Sequence, residues 1–141
     1  MSVCTLLPYP REIKHPEKPR KSRKAKAPNG YVIYEDSVRV AIATGFRRPS
    51  VNAKTGPMLQ VWILIKKENP LAAYQSGADV DICGRCPAHE ICYVNLGKAP
   101  LNIWKTWTGG GYPALPSVDV FQGRKVRFGA YAVIPRLSRY R

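Results

Sequence analysis

The sequence predicts an α+β fold, a small antiparallel sheet with two or three short helices and a metal knuckle, preceded by a flexible basic arm. Three observations lead there. Runs rich in β-branched and aromatic residues recur at strand length over 31–34, 38–44, 58–65 and 125–133. Helix start and stop signals separate the third run from the fourth. Between them Cys83-Gly84-Arg85-Cys86-Pro87-Ala88-His89-Glu90-Ile91-Cys92 groups three of the four cysteines with a histidine.

The arm comes first. Residues 1–29 hold eight Lys or Arg against two Glu, with prolines that favour extended chain and no apolar periodicity. Arg20, Lys21, Arg23 and Lys24 form its densest charge and are candidate phosphate contacts; the plain alternative is a solvated tail. A single domain over 30–141 follows, which suits a chain of 141 residues with 45% hydrophobic content.

Its first two strands, 31–34 and 38–44, are joined by the turn-like Glu35-Asp36-Ser37. Arg39 between Val38 and Val40 predicts one wet and one buried face. A polar loop over 45–57 offers Arg47, Arg48, Asn52, Lys54 and Thr55 as donors to phosphate or base edges, or simply as solvated loop residues. Lys54-Thr55-Gly56 lacks the glycine spacing of a nucleotide-hydrolysing phosphate loop. The third strand, 58–65, completes an expected antiparallel meander. Asn69-Pro70 then reads as an N-cap and first helical residue, with Gly77 as the stop. A second helix over 100–107 ends at Gly109-Gly110-Gly111. Its Trp104 and Trp107 share a face and read as packing residues, with base stacking beside Lys98 and Lys105 as the alternative.

The cysteine segment carries the chemistry. Pro87 favours a helical first turn, which would set His89 and Cys92 on one face. A Cys3His zinc site from Cys83, Cys86, Cys92 and His89 is then sterically feasible, although four ligands at successive three-residue steps wrap one ion tightly. An iron–sulfur cluster spreads its irons over more volume and suits the same spacing, with Cys4 or another residue completing the set. Three metal-free thiols are the plain reading. Glu90 is the sole carboxylate within the motif, so a closed, structural centre fits better than a catalytic one.

The formal charge of +14 attracts polyanions, and nucleic acid or a host nucleoprotein complex is the expected partner. The longest apolar run, 61–65, is far below the ~20 residues of a membrane span, and the opening residues do not resemble a secretion signal. Tyr131 and Tyr140 lack the His pair or acidic metal triad of a phosphodiester-cleaving site, and no enzymatic reaction can be read from the chain.

Two resemblances rest on these residues. The string Cys-x2-Cys-Pro-x4-Cys resembles the cluster-binding stretch of the WhiB-like actinobacterial regulators over about ten residues. A longer likeness runs through Ala43-Thr44-Gly45, Asn52-Ala53-Lys54-Thr55-Gly56, Gln60-Val61-Trp62-Ile63 and Cys86-Pro87. It continues through Cys92-Tyr93-Val94-Asn95, Gly97-Lys98-Ala99-Pro100, Trp104 and Gly111-Tyr112-Pro113. In that order these residues resemble an uncharacterised family of bacteriophage and prophage proteins, across residues 40–131. His89 is not part of the family pattern, and the relatives continue beyond Tyr131, so this chain looks like a shortened member. The resemblance implies a phage origin and the cysteine site, but no reaction; the expected place of action is the host bacterial cytoplasm. The expected roles are nucleic-acid binding, or anti-defence action such as an anti-CRISPR factor on a host protein or nucleoprotein.

Overall fold

A computed structural model describes residues 26–50, 53 and 56–132. The arm residues Arg20, Lys21, Arg23 and Lys24, together with Lys54 and Cys4, lie outside the described residues. Four strands form one sheet in the order β1-β2-β3-β4: β1 (Gly30–Glu35), β2 (Arg39–Thr44), β3 (Leu59–Ile65) and β4 (Val126–Tyr131). Helices α1 (Pro70–Ser76), α2 (Val80–Cys83) and α3 (Ala99–Thr108) and a 3₁₀ turn (Val118–Phe121) fill the connection between β3 and β4. The α+β class therefore holds.

The expected antiparallel sheet is corrected in one respect. β1, β2 and β3 form the antiparallel meander, but β4 runs parallel to β3, with Leu59 opposite Val126 and Gln60 opposite Arg127. Short turns force antiparallel pairing, whereas a long connection carrying helices returns the chain to its starting end. Residues 66–125 are such a crossover. The inner strands also differ from the one-face expectation. From Val40 to Thr44 and along most of β3 the residues are buried on both faces, as interior strands covered from two sides should be. Val40, Ile42, Leu64 and Ile82 are closed from solvent at the centre of a cluster that also takes in Ala73 and Tyr131.

Side chains fix the ends of these elements. Asn69 caps α1 by accepting from Leu71 N (3.0 Å) and Ala72 N (3.1 Å), and Gly77 closes it in the left-handed region at φ 76°. Trp104 Nε1 donates to the Ile65 carbonyl (3.1 Å), tying α3 to the end of β3. Trp104 and Trp107 both pack against the core, in agreement with the packing reading. Beyond α3 the chain lies along the free edge of β1, where Val32 N donates to Pro113 O and Leu115 N to Val32 O, both at 2.9 Å.

β4 is interrupted by a bulge. Arg127 pairs with Gln60 but Tyr131 pairs with Trp62, so β4 carries extra residues across that step. Gly129 takes up the irregularity at φ 74°, and Ala132 follows in the left-handed region at φ 69°. No helix among the described residues is long and apolar enough to cross a membrane.

Two expected outcomes follow from these packing and capping details. A Cβ on Gly30 would meet Ala43 O and Tyr112 Cε1 at 2.8 Å, so Gly30→Ala should cost ~1–3 kcal/mol in urea denaturation. Asp36 accepts from Val38 N and Arg39 N, and those backbone donors hold its carboxyl down at about 2. A depressed carboxyl contributes stability above its ordinary pKa and loses it as the pH falls towards 2. The unfolding midpoint of Asp36→Asn should therefore fall less than that of the parent between pH 4 and 2.

A cysteine-lined cavity and a basic end of the sheet

The local path of the cysteine segment differs from expectation. Pro87 does not open a helix; residues 87–91 are successive turns, with His89 N bonded to Cys86 O (3.2 Å) and Cys92 N to His89 O (3.4 Å). A run of turns leaves the backbone partly solvated, and every residue from Arg85 to Ala88 is exposed. Cys83 instead sits at the end of α2, a helix the sequence reading missed, where Gly84 at φ 61° turns the chain away. Asp79-Val80-Asp81 is the one signal for it, an acidic start typical of a helix N-terminus.

Cys83, Cys86 and Cys92 line one cavity of about 160 Å³, walled by Ile91, Val94 and Tyr131. Cys83 is half-buried; Cys86 and Cys92 are exposed. Burial pushes the Cys83 thiol up to about 11, with the Asp79 charge and the two other sulfurs adding to it. Ligation at Cys83 would have to displace that proton. Among the described residues, no three His, Cys, Asp or Glu side chains gather closely enough to hold one metal ion.

His89 has other partners. Its Nε2 lies 2.7 Å from Asp79 Oδ2, and its ring stacks on Tyr74 with centroids 4.5 Å apart. Asp79 is 3% exposed, so the imidazole satisfies a carboxylate that burial would otherwise make costly. His89 is not among the residues lining the cavity, and Nδ1 is the nitrogen it would have left for a metal.

The basic candidates divide. Asn29 shapes the loop after β2: its carbonyl accepts from Gly45 N and Phe46 N, and its Oδ1 accepts from Arg47 N (3.1 Å) and Arg48 N (2.7 Å). That leaves both arginine side chains exposed at the end of the sheet. The parallel β4 begins beside them, because Leu59 N donates to Lys125 O. Arg124 reaches across to Phe46, donating to its carbonyl (3.3 Å) with the guanidinium 5.5 Å from the ring centroid. Phe46 in turn meets Tyr31 and Phe121 edge-on. Arg124 lines two shallow clefts here, of about 390 Å³ with Lys125 and about 320 Å³ with Arg47. Sequence reading missed Arg124 and Lys125, since only strand direction brings them to this end.

Arg47, Arg48, Arg124 and Lys125 make no ion pair among the described residues. At the opposite end of the sheet the charges are matched: Lys66 with Glu35 (2.7 Å) and Arg39 with Asp36 (3.2 Å). The one carboxylate in the segment leading into β4 is Asp119, bonded to Ser117. Lys105 stands apart from the basic end, on α3, which is tied to the Ile65 end of β3.

Comparison with family models, with curated proteins and with solved structures finds no match to this chain.

Removing the imidazole tests its role directly. His89→Ala leaves the Asp79 carboxylate buried without its partner and should cost ~1–3 kcal/mol in urea denaturation. Adding Asp79→Asn should recover part of that loss, so that the double variant loses less than the two single variants together.

Proposed function

We propose that this is a small phage-encoded protein that binds nucleic acid through the basic end of its sheet, with the cysteine segment clasped by a metal. One observation carries the reading: Arg47, Arg48, Arg124 and Lys125 converge at one end of the sheet without an acidic partner among the described residues. Four unmatched cations on two chain segments form a phosphate-binding footprint, because each releases condensed counterions when it meets a backbone phosphate. Lys26 and Asn29 lead into β1 at this same end, so the basic arm joins the fold beside the footprint. Arg20, Lys21, Arg23 and Lys24 would extend it along the polymer. Tyr31 and Phe46 beside the arginines add aromatic surface on which a base can stack. Contacts of this kind are mainly to the backbone, so sequence selectivity is modest. As a phage-encoded protein it would act in the host bacterial cytoplasm.

A second reading has its own observation. Ile91 (82% exposed), Tyr93 (80%) and Phe128 (62%) present large apolar surface near the cysteine segment, as a protein-binding face does. On this reading the chain is an anti-defence factor that binds a host protein or nucleoprotein complex.

Titration of DNA and RNA at several salt concentrations separates the two. Nucleic-acid binding predicts a log–log salt slope that falls by about one for each of Arg47→Ala, Arg48→Ala and Arg124→Ala, across unrelated sequences. Affinity that is absent or indifferent to salt overturns it. Stoichiometric capture of one host partner without binding to free nucleic acid establishes the second reading instead.

A further inference from the structure

The nucleic-acid reading above is the premise here, and the shape of the basic end specifies which form of the polymer it takes. Two clefts meet at Arg124, which lines both. The one of about 320 Å³ is walled by Tyr31, Phe46, Pro28 and Val120, together with Arg47 and Arg124. Its volume stands at the lower end of the roughly 300–1,000 Å³ of small-ligand pockets. Apolar walls with two arginines and no carboxylate suit a flat ring that carries negative charge.

The rings are held in place for such a guest. Phe46 meets Tyr31 edge-on with centroids 5.0 Å apart, and Phe121 at 5.4 Å, so two neighbours fix its orientation. Tyr31, Phe46 and Phe121 are each half-buried, which leaves part of every ring open. The adjoining cleft, of about 390 Å³, differs in character. Arg124, Lys125 and three glycines line it, with no carboxylate. Gly45, Gly56 and Gly123 all have positive φ, and without side chains they let a phosphate chain approach the backbone closely.

A duplex cannot use this pair of clefts. Its bases are stacked and paired, and only their edges face the grooves. Groove reading also calls for a projecting helix or ribbon, whereas the longest described helix, α3, is tied to the opposite end by Trp104. A single strand offers free base faces to aromatic rings while its phosphates follow the cations.

We infer that the basic end takes single-stranded nucleic acid, seating one unpaired base against Tyr31 and Phe46 and its flanking phosphates on Arg124 and Lys125. Arg124 serves both clefts. Its guanidinium, 5.5 Å from the Phe46 centroid, extends the stacking surface, and its free N–H groups face the phosphate. The base cleft has no amide or carboxylate side chain to read a base edge, so any base is accepted.

The test uses the full chain and oligomers of about 12 units at ~0.15 M salt, followed by fluorescence anisotropy. Oligothymidylate and oligouridylate are compared with an abasic oligomer of equal phosphate number and with a hairpin duplex. At least one of the two pyrimidine strands is expected to bind about tenfold tighter than both controls, and the tighter one identifies the sugar. Tyr31→Ala should remove most of that preference. Should the variant fail to fold, photocrosslinking of a bromouracil-substituted strand to the parent takes its place, with adducts expected on Tyr31 or Phe46. Abasic or duplex affinity equal to that of the single strands overturns the unpaired-base site while sparing phosphate binding. Salt-dependent binding to none of the oligomers overturns both. A Tyr31→Ala protein that keeps the parent's preference, or adducts confined to other residues, overturns the seat of the base.

Discussion

The pairing of β4 parallel to β3 is the constraint on which the rest of the molecule depends. It requires residues 66–125 to travel the length of the sheet and return, and all three helices lie on that path. It places Arg124 and Lys125 next to the loop holding Arg47 and Arg48. It also sends the far end of β4, with Tyr131, to the cysteine segment. Reversing β4 would separate the basic residues and take Tyr131 away from the sulfurs. One hydrogen-bond register thus sets the neighbours of both the basic end and the cysteine-lined cavity.

A small core has little to spare for such an arrangement. Its closed centre rests on a few aliphatic side chains, chiefly Val40, Ile42, Leu64 and Ile82. Polar clasps supplement it where the crossover meets the sheet. Trp104 binds the Ile65 carbonyl, Trp62 donates to Thr44 Oγ1 at 2.9 Å, and His89 holds Asp79 while lying flat on Tyr74. The last of these links α1, the start of α2 and the cysteine turns in one contact. Such bonds direct which surfaces meet more than they add net free energy, since each replaces a bond to water.

Local chemistry was legible in the sequence, and long-range geometry was not. The Asn69 cap, Pro70, the Gly77 stop and the four strand cores can be read from neighbours within a few residues, and all stand in the structure. Strand direction depends on where a 60-residue connection ends, which no local pattern encodes; hence the antiparallel expectation for β4 and the missed Arg124 and Lys125. Pro87 misled for a related reason. It is compatible with a first helical turn, but Gly84 upstream and the exposed path to Cys92 leave no apolar face for a helix to bury. The grouping of Cys83, Cys86 and Cys92 on one cavity was foreseeable from spacing, whereas the partnership of His89 with a buried aspartate ten residues earlier was not.

The irregular step in β4 has one more consequence. This strand ends the sheet, and an outermost strand exposes amide and carbonyl groups that a second polypeptide can copy. Gly129 and Ala132, both at positive φ, break the even spacing such a newcomer would have to follow. The kink that aims a phenol inward therefore also discourages self-assembly into fibrils, a useful safeguard in a chain whose rim carries Phe128.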